Sequence, residues 1–146
     1  MSKILALFLM LAAFCFAAPP VFNSTHTFEL KKDEWARVWV TEKATQQRDS
    51  FDFRWTLFDA TNIIVQSFFR RYPKHLTLAL DNKRASFLQK LVPDFTMPPT
   101  DSAQLLLTFI DFKDKKAKFK VDIIDGANRV DVEFVDPPKK GINATN

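Results

Sequence analysis

Phe51-Asp52-Phe53-Arg54-Trp55-Thr56-Leu57 sets a large apolar side chain at every second position, with a charged or hydroxyl-bearing residue between each pair. A period of two is the repeat of a β-strand, whose successive side chains point to opposite faces, so this segment predicts one core face and one solvated face. Leu76, Leu78 and Leu80 repeat the pattern around Thr77 and Ala79. Phe119, Val121 and Ile123 repeat it around Lys120 and Asp122, and Val130, Val132 and Phe134 around Asp131 and Glu133. Residues 36–40, 63–69 and 105–112 carry apolar or aromatic side chains on both faces, as central strands do. A short strand at residues 27–30 precedes them.

Between these segments lie short polar strings with turn chemistry: Lys31-Lys32-Asp33-Glu34, Asp59-Ala60-Thr61-Asn62, residues 113–116 and Asp125-Gly126-Ala127-Asn128. Read as hairpin loops, they predict an all-β domain, a single antiparallel β-sandwich or small barrel-like meander of about eight strands. Residues 81–92 fit either a strand or, through Ala85, Leu88, Leu91 and Val92, a helical stripe; strand is the reading adopted. A loop over 93–102 containing Pro98-Pro99 divides the meander from a C-terminal three-strand part. The predicted division is a signal peptide at 1–17, an all-β domain at 18–136 and a polar tail at 137–146.

The leader rests on Lys3 followed by an uncharged apolar run from Ile4 to Ala18 and then Pro19-Pro20. That run is too short for a transmembrane helix of about 20 residues and has the layout of a cleavable signal, with Cys15 and Ala17 at the two small-residue positions. Phe14 beside Cys15 argues against lipidation. Cleavage after Ala17 removes the single cysteine and leaves a domain that must be stable by its core alone, which points to a bacterial periplasm or cell exterior. Two glycosylation sequons, Asn23-Ser24-Thr25 and Asn143-Ala144-Thr145, point toward a eukaryotic secretory route instead. An outer-membrane barrel does not fit, because the faces opposite the core carry Asp, Arg, Lys and Glu, at about 2–4 kcal/mol for each basic residue at mid-membrane.

Composition narrows the chemistry. The chain has 146 residues, 47% of them hydrophobic, with sixteen Phe and a net charge of +4. This is enough apolar surface to fold. Only two glycines occur, Gly126 and Gly141, so neither a phosphate-binding P-loop nor a dinucleotide fingerprint exists. His26 and His75 fall on separate strands with no metal-ligand spacing, and no metal or cofactor is expected. Ser50, Ser67, Ser86 and Ser102 lack a nucleophile elbow, which leaves a hydrolase only if a site assembles in space. Asp52, Asp122 and Asp131 are read on solvated faces and Asp59 in a turn, while Asp111 continues the apolar face of Leu105, Leu107 and Phe109.

Two basic clusters are candidate contact surfaces: Lys113, Lys115, Lys116 and Lys118, with Lys120, along one hairpin, and Arg70 and Arg71 with Lys74 beside Tyr72-Pro73. They suit anionic partners or simply a solvated edge, and export disfavours nucleic acid. Trp35, Arg37, Trp39 and Thr41 share one face of a strand whose other face is Ala36, Val38 and Val40. If the aliphatic face is the core, two tryptophans flanking an arginine form an outward platform for an envelope glycan or a protein surface; if not, they fill the sandwich.

Lys31-Lys32-Asp33-Glu34-Trp35 and Phe53-Arg54-Trp55-Thr56-Leu57-Phe58, together with the leader, resemble small exported proteins of the Gram-negative periplasm and envelope, over roughly residues 26–80. The resemblance implies export and carries over no activity and no site residue. The expectation is a non-enzymatic binding module of the envelope, with a small secreted hydrolase as the alternative.

Overall fold

The structure, a computed structural model, describes residues 22–81, 83–92 and 102–138. The leader, the loop around Pro98-Pro99 and the sequon at Asn143 lie outside the described residues. The described residues form strands and turns without a helix: β1 (Phe22–Lys31), β2 (Ala36–Glu42), β3 (Arg48–Asp59), β4 (Asn62–Phe69), β5 (Tyr72–Ala79), β6 (Ser86–Lys90), β7 (Gln104–Lys113), β8 (Lys116–Ile124) and β9 (Val130–Val135). They build an all-β sandwich of two antiparallel sheets, one ordered β1-β8-β7-β6 and the other β5-β4-β3-β2-β9.

The chain therefore departs from a simple meander. β9 does not follow β8 in its sheet; it crosses to the five-stranded sheet and pairs with β2. The strings at 31–34 and 125–128 are sheet-to-sheet crossings, not hairpins, because β1 pairs with β8 instead of β2. A buried acid holds the second crossing: Asp125 Oδ2 accepts the Val130 amide at 2.9 Å, and the Asp125 amide donates to Asn23 Oδ1 at 2.7 Å. Residues 81–92 contribute the short strand β6, and β1 begins at Phe22, well before the strand read at 27–30.

Alternation fails at two bulges. An irregularity between Trp55 and Leu57 reverses the phase of β3, so Leu57 is exposed and Phe58 turns toward the core. Another between Phe109 and Asp111 does the same in β7, leaving Asp111 exposed and packing Phe112 inward. A bulge adds one residue to one strand, and every later side chain changes face. Leu80 lies past the end of β5 and is also exposed.

The core is an aromatic layer between the sheets. Phe53 of the five-stranded sheet meets Phe28 at 5.4 Å and Phe119 at 5.5 Å, both edge to face, across the interior. Phe58 stacks on Phe112 at 3.8 Å. Edge-to-face and offset contacts suit the ring quadrupole and add about 0.5–1.5 kcal/mol each beyond area burial. Val38, Ala36 and Val40 complete this layer from β2.

With few glycines, the hairpins are closed by residues that tolerate left-handed backbone poorly. The two-residue loops Arg70-Arg71 (φ 50° and 69°) and Asp114-Lys115 (φ 52° and 60°) both hold positive φ throughout. That matches the twist of a type I′ hairpin but costs roughly 1–2 kcal/mol per non-glycine residue. Asp114→Asn/Lys115→Gly is therefore expected to raise unfolding stability by about 1–2 kcal/mol in urea titration. Unchanged or lower stability would show that this turn is not left-handed.

Candidate functional site

On β2 the aliphatic side chains are the core face. Ala36 and Val38 are fully buried, while Trp35 is 40% exposed and Trp39 is partly so. Trp35, Arg37 and Trp39 thus project from the outer face of the five-stranded sheet. Neighbouring strands join them there. Arg37 lies opposite Asp52 on β3 and opposite Val135 on β9, and Asp52 lies opposite Phe68 on β4.

Arginine and aromatic groups interleave across this face. The Arg37 guanidinium packs over the Trp39 ring at 4.9 Å and that of Arg48 at 4.4 Å, while Arg54 covers Trp35 at 4.7 Å. Trp35 also meets Phe68, with ring centroids 5.6 Å apart. Each guanidinium is tethered in turn: Arg37 to Asp52, Arg48 to Glu133 at 2.7 Å, and Arg54 to Gln66 Oε1 at 2.8 Å. The hydrogen bond from Arg37 to the Asp52 carboxylate raises the arginine pKa above its ordinary value, so the cation is fixed in charge as well as position. The result is a stiff, nearly neutralised layer that still exposes aromatic surface.

Within it is a concavity of about 470 Å³ lined by Trp35, Arg37, Asp52, Phe68 and Val135, with Asp136 and Pro138 closing one end. His26 sets that end. Its Nε2 lies 3.1 Å from Asp136 Oδ1, and its ring stacks on Phe134 at 5.0 Å, joining the free edges β1 and β9.

The lysine candidates do not gather here. Lys116 and Lys118 alternate with buried Ala117 and Phe119 and so occupy the outer face of the opposite sheet, with Lys113 and Lys115 at the same hairpin. In cross-strand register Lys31, Lys116 and Lys113 stand side by side, while Glu29 and Asp111 flank Lys118 in the next row and offset part of the charge. Arg70 and Arg71 close the β4–β5 hairpin two residues beyond Phe68, at the margin of this face, where Arg70 Nε donates to Asp49 Oδ2 at 2.8 Å. Asp122, read as solvated, is buried on the outer face of β8, accepting from Thr25 at 2.7 Å and pairing with Lys120 at 3.0 Å.

His26 lies at the β1–β9 side and His75 on β5, the opposite edge, and no hydrogen bond joins either to a serine among the described residues. Among those residues no group of three or more His, Cys, Asp or Glu side chains could hold a metal ion, and no helix is long and apolar enough to cross a membrane. Phe68, Arg48, Arg54 and Val135 were not legible as site residues. Alternation predicts the outward direction of Phe68, but only strand register puts it beside Trp35. No family model, curated protein or solved structure matches the chain.

Proposed function

We propose that the chain is an exported, non-enzymatic binding module of the cell envelope that engages a glycan or a protein surface through the outer face of its five-stranded sheet. The observation that carries this reading is the layer of exposed Trp35 and half-buried Trp39 and Phe68, interleaved with Arg37, around the concavity. Trp and Arg are the side chains that most often dominate binding energy, since they bring large rigid area together with fixed donors. The core does not require them, because Ala36, Val38 and Val40 already fill it from the same strand.

Removal of the platform separates binding from folding. Trp35→Ala/Trp39→Ala forfeits three cation–π contacts of about 0.5–1 kcal/mol each, so a stability loss of about 2–3 kcal/mol is expected, against ~6–10 for two buried tryptophans. The wild-type protein should retain an envelope component on purification that this folded variant loses. Equal retention by both would reject the platform.

A further inference from the structure

The outer face of the four-stranded sheet carries charge that the fold leaves unanswered. Lys31 on β1, Lys116 on β8 and Lys113 on β7 are direct cross-strand neighbours and all are exposed. At ~4.8 Å between strands, they line about 10 Å of the sheet's end with ammonium groups. Like charges directly opposite one another destabilise a sheet. Elsewhere the molecule answers its cations: Arg37 pairs with Asp52, Arg48 with Glu133, Arg70 with Asp49 and Lys120 with Asp122. Among the described residues, Lys31, Lys113 and Lys116 have neither an ion pair nor a side-chain hydrogen bond.

Protection against edge-to-edge pairing accounts for Lys31 and Lys113, which border open strand edges, but not for Lys116, which has a paired strand on either side. Nearby acids do not neutralise the row. Glu34 accepts the backbone amide of Lys31 at 2.7 Å and pairs with no ammonium group among the described residues. Asp114 and Lys115, in the turn between Lys113 and Lys116, cancel in charge. Glu29 and Asp111 stand one row further in, on either side of Lys118.

We propose that this row is a second contact surface, independent of the aromatic platform, that binds a single strand of an acidic polysaccharide. Successive sugars of a glycan are spaced about as far apart as neighbouring strands, so a chain with one acid per sugar presents its charges at the lysine spacing. The flexible four-carbon stems let each ammonium group follow its acid. A strand one sugar wide laid along the row passes beside Glu29 and Asp111, whereas a flat anionic membrane would press on both carboxylates and be repelled by them.

Fluorescence anisotropy of an end-labelled oligogalacturonate, a polymer with one carboxylate per sugar, tests this on the folded protein. Binding is expected at low salt, with log K falling against log[salt] at a slope of about −2, as for three contacts to a single-stranded polyanion. Lys113→Gln/Lys116→Gln should weaken it about 10-fold or more and bring the slope to about −1. Lys31→Gln serves if that variant does not fold. Arg71→Gln/Lys74→Gln, which removes the same charge from the other sheet, should leave binding unchanged, as should Trp35→Ala/Trp39→Ala. No binding at low salt, equal binding of the methyl-esterified oligomer, or equal loss in the two charge variants overturns the inference. Loss of binding in the tryptophan variant overturns a second, independent surface and leaves the platform. Tighter binding to phosphatidylglycerol vesicles with the same lysine dependence overturns the polysaccharide in favour of a membrane.

Discussion

Trp55→Ala should lower the unfolding free energy by about 3–5 kcal/mol, measured by urea denaturation. Trp55 is 5% exposed, packs edge to face on Phe112 at 5.5 Å, and donates its indole N–H to the Leu30 carbonyl at 2.8 Å. It therefore ties β3 of one sheet to β1 and β7 of the other. Truncation leaves a cavity and a buried carbonyl without its partner, and the two costs fall on the same contact between sheets. Trp55→Phe keeps much of the ring volume and loses the hydrogen bond, so a smaller cost of about 1–3 kcal/mol is expected. Wild-type stability in Trp55→Ala would mean that the inner and outer faces of β3 are interchanged.

Val38→Asp should abolish folding at neutral pH, seen as loss of the β-sheet circular dichroism signal and of dispersed amide resonances. Val38 is fully buried, with Phe51 and Phe134 opposite it on the flanking strands. A carboxylate there has no cation to pair with in an aromatic layer, and an uncompensated buried charge costs several kcal/mol. That is comparable to the whole stability of a domain this size, about 5–15 kcal/mol. One residue further on, Trp39 faces outward, and its removal should leave the protein folded. A reversed ranking, with Val38→Asp folded and Trp39→Ala unfolded, would place the tryptophans in the core and remove the platform.

On the proposed reading, binding and stability divide along a single strand between Val38 and Trp39. Side chains two apart serve one purpose, and their immediate neighbours the other. The arginines of the outer face are held by acids on adjacent strands, Asp52 for Arg37 and Glu133 for Arg48, so the platform is ordered before a partner arrives. Pre-ordered side chains lose less entropy on association, and the affinity gained for a given area rises accordingly.

By itself, the amino-acid sequence determined the class of fold and the facing of most side chains. The period of two in Phe51, Phe53 and Trp55 and in Phe119, Val121 and Ile123 assigns buried faces found in the structure, whereas on β2 both faces are apolar and only the fold puts Ala36, Val38 and Val40 inside and Trp35 and Trp39 outside. The both-sided apolar segments are the central strands β2, β4 and β7. These features are local, because strand geometry alone alternates side chains. Tertiary structure decided the rest: that β9 pairs with β2, that bulges turn Leu57 and Asp111 outward, and that the lysine hairpin lies on the opposite sheet from Trp35. It also brought Phe68, Asp52, Arg37 and Val135 into one row. Pairing partners and register are settled by which arrangement closes the aromatic core between two sheets, and that is a property of the whole chain rather than of any segment of it.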